Sequence, residues 1–159
     1  MKKLNAFHTL STMNKTLNDE FNMRDFDILT MILSALYWRK NNGNIKLVAD
    51  KQVISYVVNK KLEFIWNEIQ EIEDYDINRN MFWAGGKIFA LKEQESPIVM
   101  LDTDMIVWND ISSKLKEKVV AIHDEPIIPD IYKGKDYFKM KNNYVFNDSF
   151  DWTVYPSNT

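Results

Sequence analysis

No cysteine occurs in the 159 residues, and this removes disulfide cross-links, thiolate metal sites and cysteine nucleophiles together. The absence fits a reducing compartment, and a soluble, cytoplasmic protein is expected. Basic charge is not in excess either. Twenty Lys and Arg against 23 Asp and Glu leave a net charge of −3 and a pI near 5.4, with no basic block. An electrostatic hold on nucleic acid or anionic lipid is therefore disfavoured. No apolar run approaches the ~20 residues of a membrane span. Met1 to Leu4 begins like a signal peptide, but Asn5, His8, Thr9, Ser11 and Thr12 interrupt any apolar region that would follow. Neither an internal repeat nor a low-complexity tract is present.

What the chain does have is apolar mass: 45% of its residues are hydrophobic and 13% aromatic, enough for one sizeable core but not for two full domains. One domain over residues 1–159 is expected. The pattern along it alternates between strand and helix. Leu4–Leu10 reads as a first strand, and a polar segment runs from Ser11 to Arg24. Asp25 then stands as the cap of a helix whose apolar positions Phe26, Leu29, Ile32, Leu33 and Leu36 recur three and four residues apart. Gly43 fits the left-handed position that would end this helix near Asn42. A short strand to Asp50, a helix from Gln52 to Lys60, and a strand or helical turn at Phe64–Ile69 follow. Asn80 is placed to cap a helix through "MFWAGGKIFALKE", Pro97 to open a further strand, and Lys118–Ile122 to form another. Such alternation predicts an α/β sandwich with a mostly parallel sheet, whose ligands would sit beyond the carboxyl ends of the strands.

The informative stretch is "SPIVMLDTDMIVWNDI", Ser96 to Ile111, where two carboxylates interrupt an apolar run. If the backbone stays extended, Asp102 and Asp104 project from one face and Thr103 from the other. Two hard oxygen donors suit Mg²⁺ or Mn²⁺, with water and phosphate oxygens completing the shell. The bare pattern is weak, since roughly one match per two chains of this size arises by chance. It occurs here three times, at Asp25 and Asp27, at Asp74 and Asp76, and at Asp102 and Asp104. Only the third lies between apolar runs, where an unpaired carboxylate would be costly.

Taken with "GNIKLVAD" and "FWAGGKIFAL", this stretch resembles the N-terminal half of GT-A type glycosyltransferases, enzymes of Rossmann-like fold that act on nucleotide sugars. The resemblance is most specific from Phe82 to Asp110. It implies that Asp104 ligates a divalent cation bridging the donor diphosphate, and that Asp102 contacts the donor ribose or sugar and assists the metal. Lys87 would face the donor phosphates or sugar. The strand ends at Ala6–Thr9 and Ala49–Lys51 would line the nucleotide pocket, which makes His8 and Asp50 candidates for donor contact, and Trp83 could stack on base or sugar. The donor would be a UDP- or GDP-sugar and the acceptor a glycan or other hydroxyl compound. A GT-A domain usually runs well beyond this length, so a truncated piece is expected. For Asp50 helix capping stays open beside ribose contact, for Lys87 a solvated helix position, and for His8 a satisfied core position. "HDEP", His123 to Pro126, could help frame the sugar site or be a solvated loop. Two alternatives also remain: a nucleotide-sugar-binding half or inactive relic without transfer, and a phosphatase of haloacid-dehalogenase type, in which the first Asp is nucleophile and the second acid/base.

Overall fold

The computed structural model describes residues 3–12, 21–72, 84–117, 120–124, 128 and 157–158. The chain divides into two compact units, residues 1–116 and 117–159. In the first, four strands form one sheet in the order β3-β2-β1-β4: β1 Leu4–Leu10, β2 Gly43–Ala49, β3 Glu68–Glu71 and β4 Val99–Leu101. All its pairings are parallel, with Leu4 opposite Gly43, Lys46 opposite Glu68, and Ala6 opposite Val99. Among the described residues three helices lie in the connections, α1 Asp25–Asn41, α2 Lys51–Asn59 and α3 Gly85–Lys92. No helix among the described residues is long and apolar enough to cross a membrane.

Alternation along the strands sorts the helices onto the two faces. Ala6, Ile45, Leu47, Ala49 and Leu101 pack with Met31, Ala35 and Trp38 of α1 and Val53 and Val57 of α2. The intervening residues Phe7, Val48 and Met100 pack with Phe89 and Ala90 of α3. A parallel sheet needs cover of this kind, because each crossover lays its helix on a face. The crossovers to β2 and β3 use one face and the crossover to β4 the other, so the winding reverses between β1 and β4.

Several local expectations change. The sheet-facing side of α1 is Met31, Ser34, Ala35 and Trp38, all buried, whereas Phe26, Leu29, Leu33 and Leu36 are exposed. Small side chains at Ser34 and Ala35 let the helix axis approach the strands, and the Trp38 indole finds a partner by donating to the Asn44 carbonyl at 2.9 Å. Asp25 sits inside the first turn and Arg24 precedes it without a side-chain cap; Asp25 and Asp27 at this end, with Arg39 and Lys40 at the other, complement the helix dipole. Gly43 is not a left-handed helix cap. Its φ of +149° opens β2, and a Cβ there would strike the Leu4 carbonyl. The Phe64–Ile69 run splits into a 3₁₀ turn, Glu63–Ile65, and β3.

The described part of α3 starts at Gly85, and the capping role given to Asn80 lies outside the described residues, as do Asp74 and Asp76. In the second unit the strand expected at Lys118–Ile122 is absent over Val120–Ile122, while Lys118 and Val119 lie outside the description. His123–Asp124, β5, pairs instead antiparallel with Ser157–Asn158, β6.

Candidate functional site

β4 ends at Leu101, and the chain turns at once. The Met105 amide donates to the Asp102 carbonyl at 3.0 Å, so Asp102 to Met105 form a tight turn at the carboxyl edge of the sheet. The extended backbone expected at the acidic pair is thus corrected. The apolar residues that made the stretch look like one long strand serve the core without strand pairing: Met105, Val107 and Ile111 pack on the α1 face. Three side chains hold this returning run. Ser34 donates to the Met105 carbonyl, Asn41 to the Trp108 carbonyl at 2.8 Å, and Asn42 both donates to the Asn109 carbonyl at 3.2 Å and accepts from the Ile111 amide at 2.9 Å.

Because the winding reverses between β1 and β4, this turn lies at the topological switch point, the usual ligand crevice of open α/β sheets. Asp104 is exposed on the turn. Asp102 is about one quarter exposed and forms an ion pair with Lys87, from the first turn of α3. The sheet topology therefore brings Lys87, Asp102 and Asp104 to one edge. α3 has no side-chain cap and no acidic residue in its first turn, so the positive end of its dipole is uncompensated there. Thr9, last but one in β1, carries a buried hydroxyl oxygen without a hydrogen-bond partner.

Asp102 and Asp104 offer a divalent cation hard carboxylate oxygens. Among the described residues no group of three His, Asp or Glu comes together. Two carboxylates on one turn match the one or two that Mg²⁺ commonly takes from a protein, its other positions going to water and substrate phosphate. The residues fit such an ion, provided Asp102 exchanges its ammonium partner.

His8 and Asp50 do not present free polar groups at this edge. His8 is fully buried. The Trp66 indole can only donate, so its 3.3 Å contact fixes His8 Nδ1 as an acceptor. His8 Nε2 must then carry the proton and donate to Ser34 Oγ at 3.0 Å, and the Ser34 hydroxyl in turn donates a hydrogen bond to the Met105 carbonyl. Burial without a charged partner pushes the imidazole down to about 3 from its ordinary 6.5, so it is neutral. The expected donor contact at His8 is thus replaced by a core role: with no accessible surface and both nitrogens taken, it supports the turn carrying Asp104. Asp50 caps α2, one oxygen accepting from the Val53 amide at 3.0 Å and the other from the Thr12 amide and from the Thr12 hydroxyl at 2.8 Å. Both its oxygens are engaged within the protein. Trp83 lies outside the described residues. In the "HDEP" run, His123 and Asp124 form β5, and the remaining two residues are outside the description.

Ser34 was missed in the sequence. A lone Ser in an apolar helix faces solvent as readily as a sheet, and its partners are 26 and 71 residues away. A cavity of about 520 Å³ lies toward the amino ends of the strands, lined among others by Asn5, Asn44, Lys46, Glu68 and Glu93, and includes none of the candidate site residues.

The chain matches the model of a family described as a family of unknown function (DUF6734) over residues 1–148. No curated protein matches it, and no solved structure does.

Proposed function

We propose that this chain, which belongs to the family of unknown function DUF6734, is a metal-dependent glycosyltransferase of GT-A type that takes a sugar from a nucleotide-diphosphate donor to a hydroxyl acceptor. One observation carries the reading. An Asp-Thr-Asp turn leaves β4 at the switch point of a parallel sheet, and Lys87 of the helix on the opposing face reaches the first of its carboxylates. Acidic oxygens and an ammonium at one strand edge suit a diphosphate paired with a cation.

In this reading Asp104, already exposed, and Asp102 supply hard oxygens to Mn²⁺ or Mg²⁺. When bound, the ion supplies positive charge beside a departing diphosphate. Lys87 neutralises Asp102 in the unliganded chain and turns its ammonium to a phosphate oxygen once the carboxylate is engaged elsewhere. The uncapped first turn of α3 adds favourable dipole on the same side. His8 and Ser34 hold the Met105 carbonyl, and so keep Asp104 presented at the edge rather than folded against the core. Together these residues preorganise charge where the leaving group develops it.

The ion pair at Asp102 favours one further reading, a domain that binds nucleoside diphosphate without transferring sugar, because the carboxylate is satisfied within the protein. Calorimetric titration of UDP and GDP into the chain, with and without Mn²⁺, addresses both. Expected is binding that requires the metal and weakens by roughly 10-fold or more in Asp104→Asn, the usual scale for disturbing a metal's protein ligands. Metal-independent binding, equal in chain and variant, or no binding at all, sinks the proposal. Metal-dependent binding with no sugar released from UDP- or GDP-sugars supports binding without transfer. Hydrolysis of a simple phosphomonoester that depends on Asp102 would move the assignment to a phosphatase.

A further inference from the structure

The outer face of α1 is apolar where a solvated helix would be polar. Phe26 is 71% exposed, Leu29 59%, Leu33 41% and Leu36 40%. Their spacing of three, four and three residues is the two-position repeat of a helix seam, and it draws a stripe roughly 80° wide down one side of the cylinder. Trp108, 58% exposed, extends the patch at its carboxyl end through an edge-on contact with Tyr37 at 4.6 Å between centroids. The opposite side of the helix already packs on the sheet through Met31, Ala35 and Trp38. Two apolar faces on one helix mean that one is spare.

We infer that this stripe is a self-association surface on which α1 of a second copy of this chain packs antiparallel. Two properties of the stripe select that occupant. The first is symmetry. Run antiparallel about a two-fold axis near position 31, Phe26 faces Leu36 and Leu29 faces Leu33, so every apolar position meets an apolar position and the patch complements itself, as a two-fold interface requires. The second is charge. Asp25 lies in the first turn and Lys40 in the last, both without an ion-pair partner on their own helix end among the described residues, whereas Asp27 is paired with Arg24 at 2.8 Å and Arg39 donates to the Phe64 and Ile65 carbonyls. An antiparallel pair sets the acidic start of one helix, the positive end of its dipole, beside the basic end of the other. Lys40 lies on the line of the stripe, one turn beyond Leu36. A parallel pair would put like charges and like dipole ends together. The surface belongs to the outer side of the α1 layer, whereas the Asp102–Asp104 turn lies at the carboxyl edge of the sheet, so the inference does not depend on the glycosyltransferase reading.

Sedimentation equilibrium of the full chain over a roughly hundredfold range of concentration tests it, since mass action makes any dimer concentration-dependent. Expected is a mass rising from 18.9 kDa to twice that value. Leu29→Lys and Leu33→Glu, each at an exposed position and each checked for an unchanged thermal melt, should separately raise the dimer dissociation constant by roughly 100-fold, as loss of a central apolar anchor does. Mixing the two variants should restore the dimer, because antiparallel packing sets the introduced ammonium of one variant against the introduced carboxylate of the other and leaves the reciprocal pair of Leu29 and Leu33 intact. A chain that stays at 18.9 kDa throughout overturns the inference. A dimer indifferent to both variants overturns it as well, and failure of the mixture to reassociate overturns the antiparallel arrangement.

Discussion

His8 makes the acid stability of the fold predictable. Its imidazole is buried between Trp66 and Ser34, accepts from the one and donates to the other, and has its pKa depressed to about 3 from 6.5. Between those two values the unfolded chain takes up a proton that the folded chain refuses. The stabilisation from a neutral His8 is therefore complete above about pH 6.5 and is lost as pH falls toward 3. At a limiting slope of about 1.36 kcal/mol per pH unit, reached once the unfolded imidazole is mostly protonated, lowering the pH from about 6.5 to about 4.5 removes roughly 2.3 kcal/mol, a sizeable share of the 5–15 kcal/mol typical of a whole domain. Urea unfolding followed by tryptophan fluorescence at both pH values, on the chain and on His8→Gln, isolates the effect. The amide can still accept from Trp66 and donate to Ser34 but cannot titrate. The carboxylates that also weaken the fold in acid, Asp27 and Asp110 among those with lowered pKa, are common to both proteins and cancel in the comparison. The variant should be less stable at neutral pH, yet lose about 2–3 kcal/mol less than the parent on acidification. Equal losses would refute the argument, because the imidazole would then have to be charged, or exposed, in the folded state.

Substitutions at two positions probe the ends of β1 and β2. Asp50→Ala removes the cap of α2 and orphans the Thr12 amide and hydroxyl, and should lower unfolding stability by roughly 1–3 kcal/mol; Asp50→Asn, which keeps a capping oxygen, should recover part of it in the same thermal or urea assay. Gly43→Ala forces a Cβ into the Leu4 carbonyl at a positive φ, so a loss of at least about 1–3 kcal/mol is expected, and a neutral result would mean that the β1–β2 junction relaxes freely.

The parallel α/β architecture was legible because strand and helix periodicities alternate, and the third Asp-x-Asp stood out because apolar residues flank it. What those flanks do was not legible. Val99–Leu101 pairs as strand, whereas Met105, Val107 and Ile111 bury their side chains from an irregular run, and apolar content alone does not separate the two. Which side of α1 meets the sheet was not legible for a related reason. Phe26, Leu29, Leu33 and Leu36 are more hydrophobic than the Ser34 and Ala35 that touch the sheet, but helix-to-sheet contact rewards small side chains as much as greasy ones. His8 could not be resolved from its neighbours in the chain, since its two partners are contributed by residues 26 and 58 positions away.

The return of the chain from Met105 to Ile111 has an implication for how the edge of this sheet could be retuned. Backbone pairing in a strand tolerates nearly any letter, because the atoms that bond are the same in every residue. This run instead hangs on Ser34, Asn41 and Asn42. Three replaceable side chains act as its tethers, and trimming any one slackens the loop that bears Asp104 while the sheet stays whole. A change on α1 or at its carboxyl end, distant in sequence from the acidic residues, is then enough to adjust how firmly they are offered.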